Sequence, residues 1–283
     1  MTKVITPTSP EAWALDVLGV APEQTIPQSI LIQATTKAGE VEGDDVFVRV
    51  PMINLDADTG FVPEGNDIPE ADPDLSELVI ATGKIAVLVR ISREQLVQPA
   101  ASEVVSNEIR RSVLKKVDWA LLQQPAPTAP STFPPAGLIS HAVYAGVVQD
   151  NLDAVVDAVA FIEGLGGSCT NIIAAPDAWA KLVKLKTATG SNQSLIGAGT
   201  ESAQRTLLSI PVNVTSAMTS GQILAVDKTK TLSAYGSIQV ARSEHAYFNS
   251  DSWALRATLR FGAGFTEVGA GLLLDVGPVD ETP

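Results

Sequence analysis

The chain has 283 residues, of which 45% are apolar, and its formal net charge is −13. This length and apolar content can build one large core or two ordinary ones, whereas the negative charge argues against a protein that mainly grips nucleic acid, since that needs a basic surface. The single cysteine, Cys169, excludes an internal disulfide and fits a reducing compartment. We recognise no secretory signal, and no apolar run approaches the ~20 residues that a membrane-spanning helix needs.

The first half of the chain predicts an arm and a long hairpin. Residues 1–45 are punctuated by prolines and read as an extended arm, which cannot form a core by itself and is either disordered or laid against another surface. Residues 46–50 and 78–91 have strand patterns, and the connection between them is far longer than the usual hairpin loop of about 2–5 residues. An extended hairpin of this length reaches roughly 40 Å, beyond the radius of gyration of about 19 Å expected for a compact chain.

Helices and short strands alternate after the hairpin. Residues 102–122 predict a long amphipathic helix, because their apolar positions step by four. A stiff proline-rich connection follows at residues 124–135. The later predicted elements are helices at 151–163 and 176–185, and strands at 172–174, 211–214, 223–226, 232–235, 238–241 and 253–261.

The sequence offers no convincing catalytic or metal-binding group. Neither His141 nor His245 has a partner at metal-ligand spacing, and Cys169 is best interpreted as a small buried thiol. Residues 56–60 resemble the start of a calcium loop but lack its later ligands. No nucleophile elbow, phosphate loop or dinucleotide fingerprint occurs. We therefore predict no catalytic residue, no metal and no cofactor.

Charge is distributed unevenly around the long connection. No basic residue occurs between Arg49 and Lys84, so this segment is either a solvated acidic loop or a segment that docks onto basic residues of another copy. Each exposed ion pair would contribute only about 0–1 kcal/mol, but many copies would add up. The acidic residues expected at such a contact are Glu64, Asp67, Glu70, Asp72 and Asp74. Their candidate partners are Arg110, Arg111, Lys115 and Lys116 on the long helix, and Arg256 and Arg260 on the strand at 253–261.

Several short motifs occur in an order that resembles one protein family. They are VPEGNDIP at 62–69, KIA at 84–86, ISREQL at 91–96, DWALL at 118–122, PAGL at 135–138, APDAW at 175–179 and LLSIPV at 207–212. Each motif is weak alone, but their shared order over roughly residues 46–265 resembles the tailed-phage major capsid proteins, whose fold is named for the Hong Kong ninety-seven phage.

The resemblance implies an α+β fold of the Hong Kong ninety-seven type. Its parts would be an N-terminal arm, an extended β-hairpin loop, a peripheral domain with a long spine helix, and a mixed axial domain. The implied boundaries are 1–45 for the arm, 46–91 for the extended loop, 92–145 with 235–265 for the peripheral domain, and 146–234 with 266–283 for the axial domain.

The resemblance also implies a structural function without enzymatic activity. The chain would self-assemble into pentamers and hexamers of an icosahedral shell, which encloses double-stranded DNA without sequence-specific binding. Further implied partners are a separate scaffolding protein, a portal and, as an optional partner, a decoration protein, with no membrane. The implied location is the virion, with assembly in the host cytoplasm.

Two departures from the family pattern have consequences. Ser209 stands where the family usually has glycine, so the turn there is expected to differ, and the absence of lysine between Arg49 and Lys84 implies no covalent crosslink at the loop tip. Three alternatives remain open at this point: an encapsulin-type nanocompartment shell of the same fold, a soluble hydrolase and a secreted adhesin.

Overall fold

The computed structural model describes residues 17–20, 29–41, 46–54, 59–68, 70, 74–96, 101–188, 191, 193–196 and 205–277. Its strands are β1 (Val17–Val20), β2 (Thr36–Gly39), β3 (Phe47–Asn54), β4 (Asp74–Ala81), β5 (Gly83–Ser92), β6 (Val143–Val148), β7 (Asn171–Ala174), β8 (Thr206–Leu207), β9 (Ile210–Val214), β10 (Gln222–Val226), β11 (Thr231–Tyr235), β12 (Ile238–Tyr247), β13 (Ser252–Phe265) and β14 (Gly271–Val276). Its helices are α1 (Ile30–Ala34), α2 (Arg93–Leu96), α3 (Ala101–Gln123), α4 (Leu138–His141), α5 (Asp153–Gly164) and α6 (Pro176–Lys184), with a short 3₁₀ turn at Phe248–Ser250.

The first sheet is built around β13, which is 14 residues long. Within the described residues this sheet has six strands in the order β1-β12-β13-β11-β2, and β5 pairs with β13 as well. The β5–β13 pairing is antiparallel and runs from Ser92 opposite Ser252 to Gly83 opposite Phe261. The apolar side chains of the alternating β13 sequence, such as Leu255, Ala257 and Leu259, are buried, as its pattern predicted.

Helix α3 packs along this sheet and confirms the predicted long helix. Its 23 residues span about 34 Å at ~1.5 Å per residue. The apolar residues that step by four, including Ile109, Val113, Val117 and Leu121, are buried in the main core. Residues that repeat at this spacing share one helix face, so the sequence builds a continuous apolar stripe against β5 and β13.

The second sheet has the order β6-β14-β10-β7-β9-β8 and carries α5 and α6. Its strand β7 is buried at all four positions, and α5, α6, β7, β9 and β10 confirm the predicted elements to within two residues. Strands β6 and β14 had no counterpart in the sequence-based prediction. They pair parallel to each other, with Leu272 opposite Val143.

The amino-terminal region contributes directly to the body. Strand β1 pairs with β12, and β2 pairs parallel to β11. Leu31 and Ala34 of α1 are fully buried in the main core. The described part of the predicted arm is therefore laid against the molecule's own sheet and core, whereas residues 1–16, 21–28 and 42–45 lie outside the described residues.

The predicted β-rich run at 78–91 is divided at Thr82 into two strands that belong to different sheets. Among the described strands, β4 pairs with β3 in a two-stranded ribbon, while β5 joins the sheet of β13. The paired part of the expected extended loop at 46–91 thus ends at Ala81, and residues 83–92 belong to the body. Apolar, β-favouring residues occur on both sides of Thr82, which is why the break was not visible in the sequence. The wider division into peripheral and axial domains stays a prediction.

Candidate inter-subunit surfaces

The ribbon of β3 and β4, together with its connection, forms the extended hairpin (residues 47–81). Its strands pair in antiparallel register from Phe47 opposite Ala81 to Asn54 opposite Asp74. Directly opposite residues share a face, and one face of the hairpin base packs on the body. There Val48, Val50, Leu78 and Ile80 contact a small cluster with Val41, Leu232 and Ala234.

The other face of the hairpin carries exposed apolar side chains on either side of a salt bridge. Its exposed residues include Ile53 and Leu75, which lie directly opposite each other and are 65% and 70% exposed. Phe47 and Val79 on the same face are a little under half exposed. A salt bridge of 3.0 Å between Arg49 and Glu77 neutralises charge on this face. We call Phe47, Ile53, Leu75 and Val79 the outer apolar face.

The tip of the hairpin contains a tight turn within the predicted VPEGNDIP motif. The amide of Asn66 donates a hydrogen bond of 3.2 Å to the carbonyl oxygen of Pro63. Gly65, the third residue of this turn, has a φ of +87°, the sign that a type II turn requires and that glycine adopts without steric cost. Phe61 and Ile68 flank the turn and are almost fully exposed.

The predicted acidic contact residues are exposed where the structure describes them. Glu64, Asp67 and Glu70 are all exposed near the tip. Asp74 begins β4, opposite Asn54 in the backbone pairing, and Asp72 lies outside the described residues. Their pairing with basic residues of another copy stays a prediction.

The basic residues of α3 are partly engaged within the chain. Arg111 donates two hydrogen bonds to the carboxylate of Glu108, at 2.9 Å from Nε and 2.8 Å from Nη2, and these bonds lower the pKa of Glu108. Lys116 lies over the ring of Trp119, with 3.5 Å from Nζ to the ring centroid. Lys115 is exposed, and Arg110 is half-buried with no hydrogen-bond partner for its Nε atom among the described residues.

Arg256 and Arg260 belong to a larger basic surface on the sheet. Arg256 lies opposite Leu88 of β5, and Arg260 lies opposite Lys84, while Arg90 lies opposite Ala254 on the same face. We call Lys84, Leu88, Arg90, Arg256 and Arg260 the basic sheet face. On this face the paired strands β5 and β13 carry no acidic residue, and the acid at the rim of the adjoining groove is Glu40.

The centre of the basic sheet face is apolar. Leu88 is 58% exposed between the cations. Arg260 donates a hydrogen bond of 2.9 Å to Thr82 Oγ1, and Arg90 lies over the ring of Tyr247 at 5.0 Å from the centroid. Lys84 and Arg90 cannot be placed on this face from the sequence alone, because their position beside β13 depends on a pairing between strands far apart in the chain.

The remaining candidate chemical groups do not form a site. Cys169 is buried, and burial raises the pKa of its thiol to about 11, so it is protonated and unreactive at neutral pH. His141 and His245 are both exposed. Among the described residues no cluster of three metal-ligating side chains occurs. No helix in the described ranges has the length and apolarity to cross a membrane.

These features are typical of a structural protein rather than an enzyme: a hairpin with exposed apolar residues extends from a two-sheet body that also carries exposed basic residues. The sequence profile of the phage capsid family matches residues 29–271, and the chain belongs to that family. It is a structural capsid protein of an icosahedral shell, as the motif order indicated. Comparison with curated protein sequences gave no match.

Solved structures share the fold of this chain. The capsid of a native GTA particle, computed with C5 symmetry, is 17% identical, with a TM-score of 0.65 and coverage of 97% of this chain and 96% of that chain. A chain from Mycobacterium phage Bobi is 14% identical, with a TM-score of 0.65 and coverage of 98% and 97%. A chain from Microbacterium phage Oxtober96 is 14% identical, with a TM-score of 0.65 and coverage of 99% and 96%.

Proposed function

We propose that the chain is the non-enzymatic shell protein of a phage head, in which pentamers and hexamers enclose double-stranded DNA. Each extended hairpin lies on a second copy of the chain. The proposed location is the virion, after assembly in the host cytoplasm with a separate scaffolding protein, a portal and, optionally, a decoration protein. The net charge of −13 supports an enclosing rather than a DNA-gripping function, because it repels the packaged polyanion.

The observation that carries this proposal is the uncovered outer apolar face. A two-stranded hairpin is marginally stable in water by itself, and exposed apolar residues grouped on one face are typical of an interaction surface. Burial of one side chain such as Ile53 or Leu75 is worth about 1.5–3 kcal/mol relative to full exposure. Contact with another copy would therefore order the hairpin, and the burial of these side chains would stabilise the assembly.

The basic sheet face is the receiving surface that the geometry supports best. It combines exposed cations with Leu88 at its centre, and so complements a hairpin that combines apolar residues with acids. Arg111 and Lys116 on the helix have partners in their own chain, as Arg90 and Arg260 do on the sheet face, so the exposed Leu88 is what distinguishes the sheet face. Charge complementarity of this kind sets register and rejects wrong partners more than it adds affinity.

Charge reversal on the two surfaces tests this proposal. We expect Lys84→Glu combined with Arg256→Glu to abolish shell formation, because acids would face the acidic hairpin. Arg111→Glu combined with Lys115→Glu, on the exposed side of α3, is the matched control and should assemble. Size exclusion and negative-stain microscopy measure assembly, and circular dichroism checks the subunit fold.

Three results would change the account. Normal shells from the sheet-face variant would reject the receiving surface. Failure of the helix variant alone would favour the spine-helix residues as partners. Shells that co-purify with a folded cargo protein would indicate an encapsulin-type nanocompartment.

A further inference from the structure

The proline-rich loop (residues 124–135) forms a closed structure beside the extended hairpin. Five of its twelve residues are prolines. Its ends are held together because the carbonyl oxygen of Gln124 accepts hydrogen bonds from the amide of Gly137 at 2.8 Å and from Ser140 Oγ at 3.3 Å. Compact surface loops with joined ends frequently have a function of their own.

Hydrogen bonds inside the loop add to its stiffness. The amide of Ser131 donates to the carbonyl oxygen of Thr128 at 3.0 Å, and Ser131 Oγ donates to the carbonyl oxygen of Phe133 at 2.8 Å. Proline fixes one backbone dihedral at each of its positions, so the loop can transmit a mechanical constraint.

The loop contacts the hinge of the hairpin (residues 81–83), where β4 leaves the ribbon and β5 enters the sheet. A Cβ atom on Gly83 would lie 2.6 Å from Cδ of Pro135 and 3.4 Å from Cε2 of Phe133. Because glycine has no Cβ, the ring of Pro135 can pack directly against the backbone at Gly83. This approach is closer than real Cβ atoms show, which makes glycine a steric requirement at the contact.

Strand β13 holds the same hinge. A Cβ on Gly262 would clash with the carbonyl oxygen of Ala81, and Arg260 hydrogen-bonds to the buried Thr82. The hinge is therefore held by β13 and by the proline-rich loop together.

Space for movement exists next to this contact. An open cleft of about 480 Å³ separates the hairpin base from the loop, with Leu78 and Val79 on one wall and Ala126 and Pro127 on the other. The hairpin base is thus not packed against the whole loop, and the tight contact is concentrated at Gly83.

We propose that the proline-rich loop is a brace that sets the angle between the extended hairpin and the sheet, with Phe133 and Pro135 as positioning residues. This rests on the proposed function, in which the hairpin must meet a second copy at a fixed angle. A hairpin held in its docking orientation loses less conformational entropy on binding, which strengthens assembly without any new contact.

Distance measurements between spin labels on the full-length chain test the brace. With Cys169→Ala as background, labels at Ser76→Cys on β4 and Asp157→Cys on α5 report the hairpin angle in subunits kept unassembled. We expect Phe133→Ala combined with Pro135→Gly to broaden the distance distribution. Thr128→Ala truncates an exposed side chain of the same loop that lines neither the hinge contact nor the cleft, keeps all five prolines, and should leave the distribution unchanged.

A second pair of variants remains informative if the first fails to fold. Gly83→Ala should shift the mean distance, because its Cβ would collide with Pro135, and Pro135→Ala in the same chain should reverse part of that shift. Unchanged distributions in the brace variants, or a Gly83→Ala shift that Pro135→Ala does not alter, would overturn the brace. The distances are measured without assembly, so such a result leaves the proposed shell function standing.

Discussion

At the residue scale, Asp118 joins the amino-terminal segment to the long helix. Its Oδ1 atom accepts hydrogen bonds from Ser29 Oγ at 2.7 Å and from the amide of Ile30 at 3.0 Å, so it anchors the start of α1 on α3. Burial raises the pKa of Asp118, although these hydrogen bonds act in the opposite direction. The residue was noticed in sequence only as part of the DWALL motif.

We expect Asp118→Asn to leave the free energy of unfolding at neutral pH unchanged or to raise it. Asparagine keeps an acceptor oxygen for both donors and removes a charge that burial disfavours. Asp118→Ala leaves the Ser29 hydroxyl and the Ile30 amide without this partner and should cost about 1–3 kcal/mol. Urea unfolding of both variants and the wild type measures the difference. A loss in Asp118→Asn as large as that in Asp118→Ala would contradict the anchor role.

The pH dependence of this anchor has a defined sign. A carboxyl whose pKa is raised by folding binds its proton more tightly in the native state. Its favourable contribution to the free energy of unfolding is therefore complete below the unfolded-state pKa. That contribution is lost as the pH rises through the folded-state pKa. The stability of the wild type relative to Asp118→Asn should therefore increase on mild acidification.

Ser209 shows how a departure from the family pattern is accommodated. Leu208 and Ser209 form the two-residue turn between β8 and β9, with φ of 52° and 66°. Ser209 therefore adopts a left-handed conformation that suits glycine, whereas a difference from the family's turn stays a prediction. An L-residue held in this region costs roughly 1–2 kcal/mol.

At the scale of elements, the two faces of the extended hairpin have different tasks. Replacing both Ile53 and Leu75 by serine should leave the subunit folded, because both side chains are mostly exposed. It should raise the critical concentration for assembly by on the order of tenfold or more, since burial of each side chain is worth more than 1.4 kcal/mol. Light scattering against protein concentration measures this effect.

The contrasting variant lies on the opposite face of the same hairpin. Ile80 is 1% exposed in the cluster with Val41 and Ala234, so Ile80→Ser should lower the free energy of unfolding of the subunit itself. An unchanged critical concentration for the Ile53 and Leu75 double variant would show that the outer apolar face is not buried on assembly.

Elements with strong local patterns could be predicted from the sequence. The stripe on α3 and the alternation in β13 are periodic over many residues, and both elements are present as expected. The break at Thr82, the parallel pair of β6 and β14, and the burial of α1 depend on contacts between distant parts of the chain. For the same reason Lys84 and Arg90 could not be placed on the basic sheet face before the register of β5 and β13 was known.

At the scale of the whole molecule, the hairpin and the basic sheet face are different surfaces of one chain. A contact between them is heterologous, so it joins copies head to tail and closes into a ring where the rotation permits. In the proposed shell, the acidic composition, the exposed apolar residues of the hairpin and the braced hinge would all favour contacts between copies of the chain.

A cryo-electron microscopy reconstruction of the assembled shell tests this central claim most directly. We predict that residues 47–81 of each copy lie across Lys84, Leu88 and Arg256 of a second copy, with Ile53 and Leu75 buried in the contact. A reconstruction in which the hairpin folds back on its own body, or projects without touching another copy, would contradict the account.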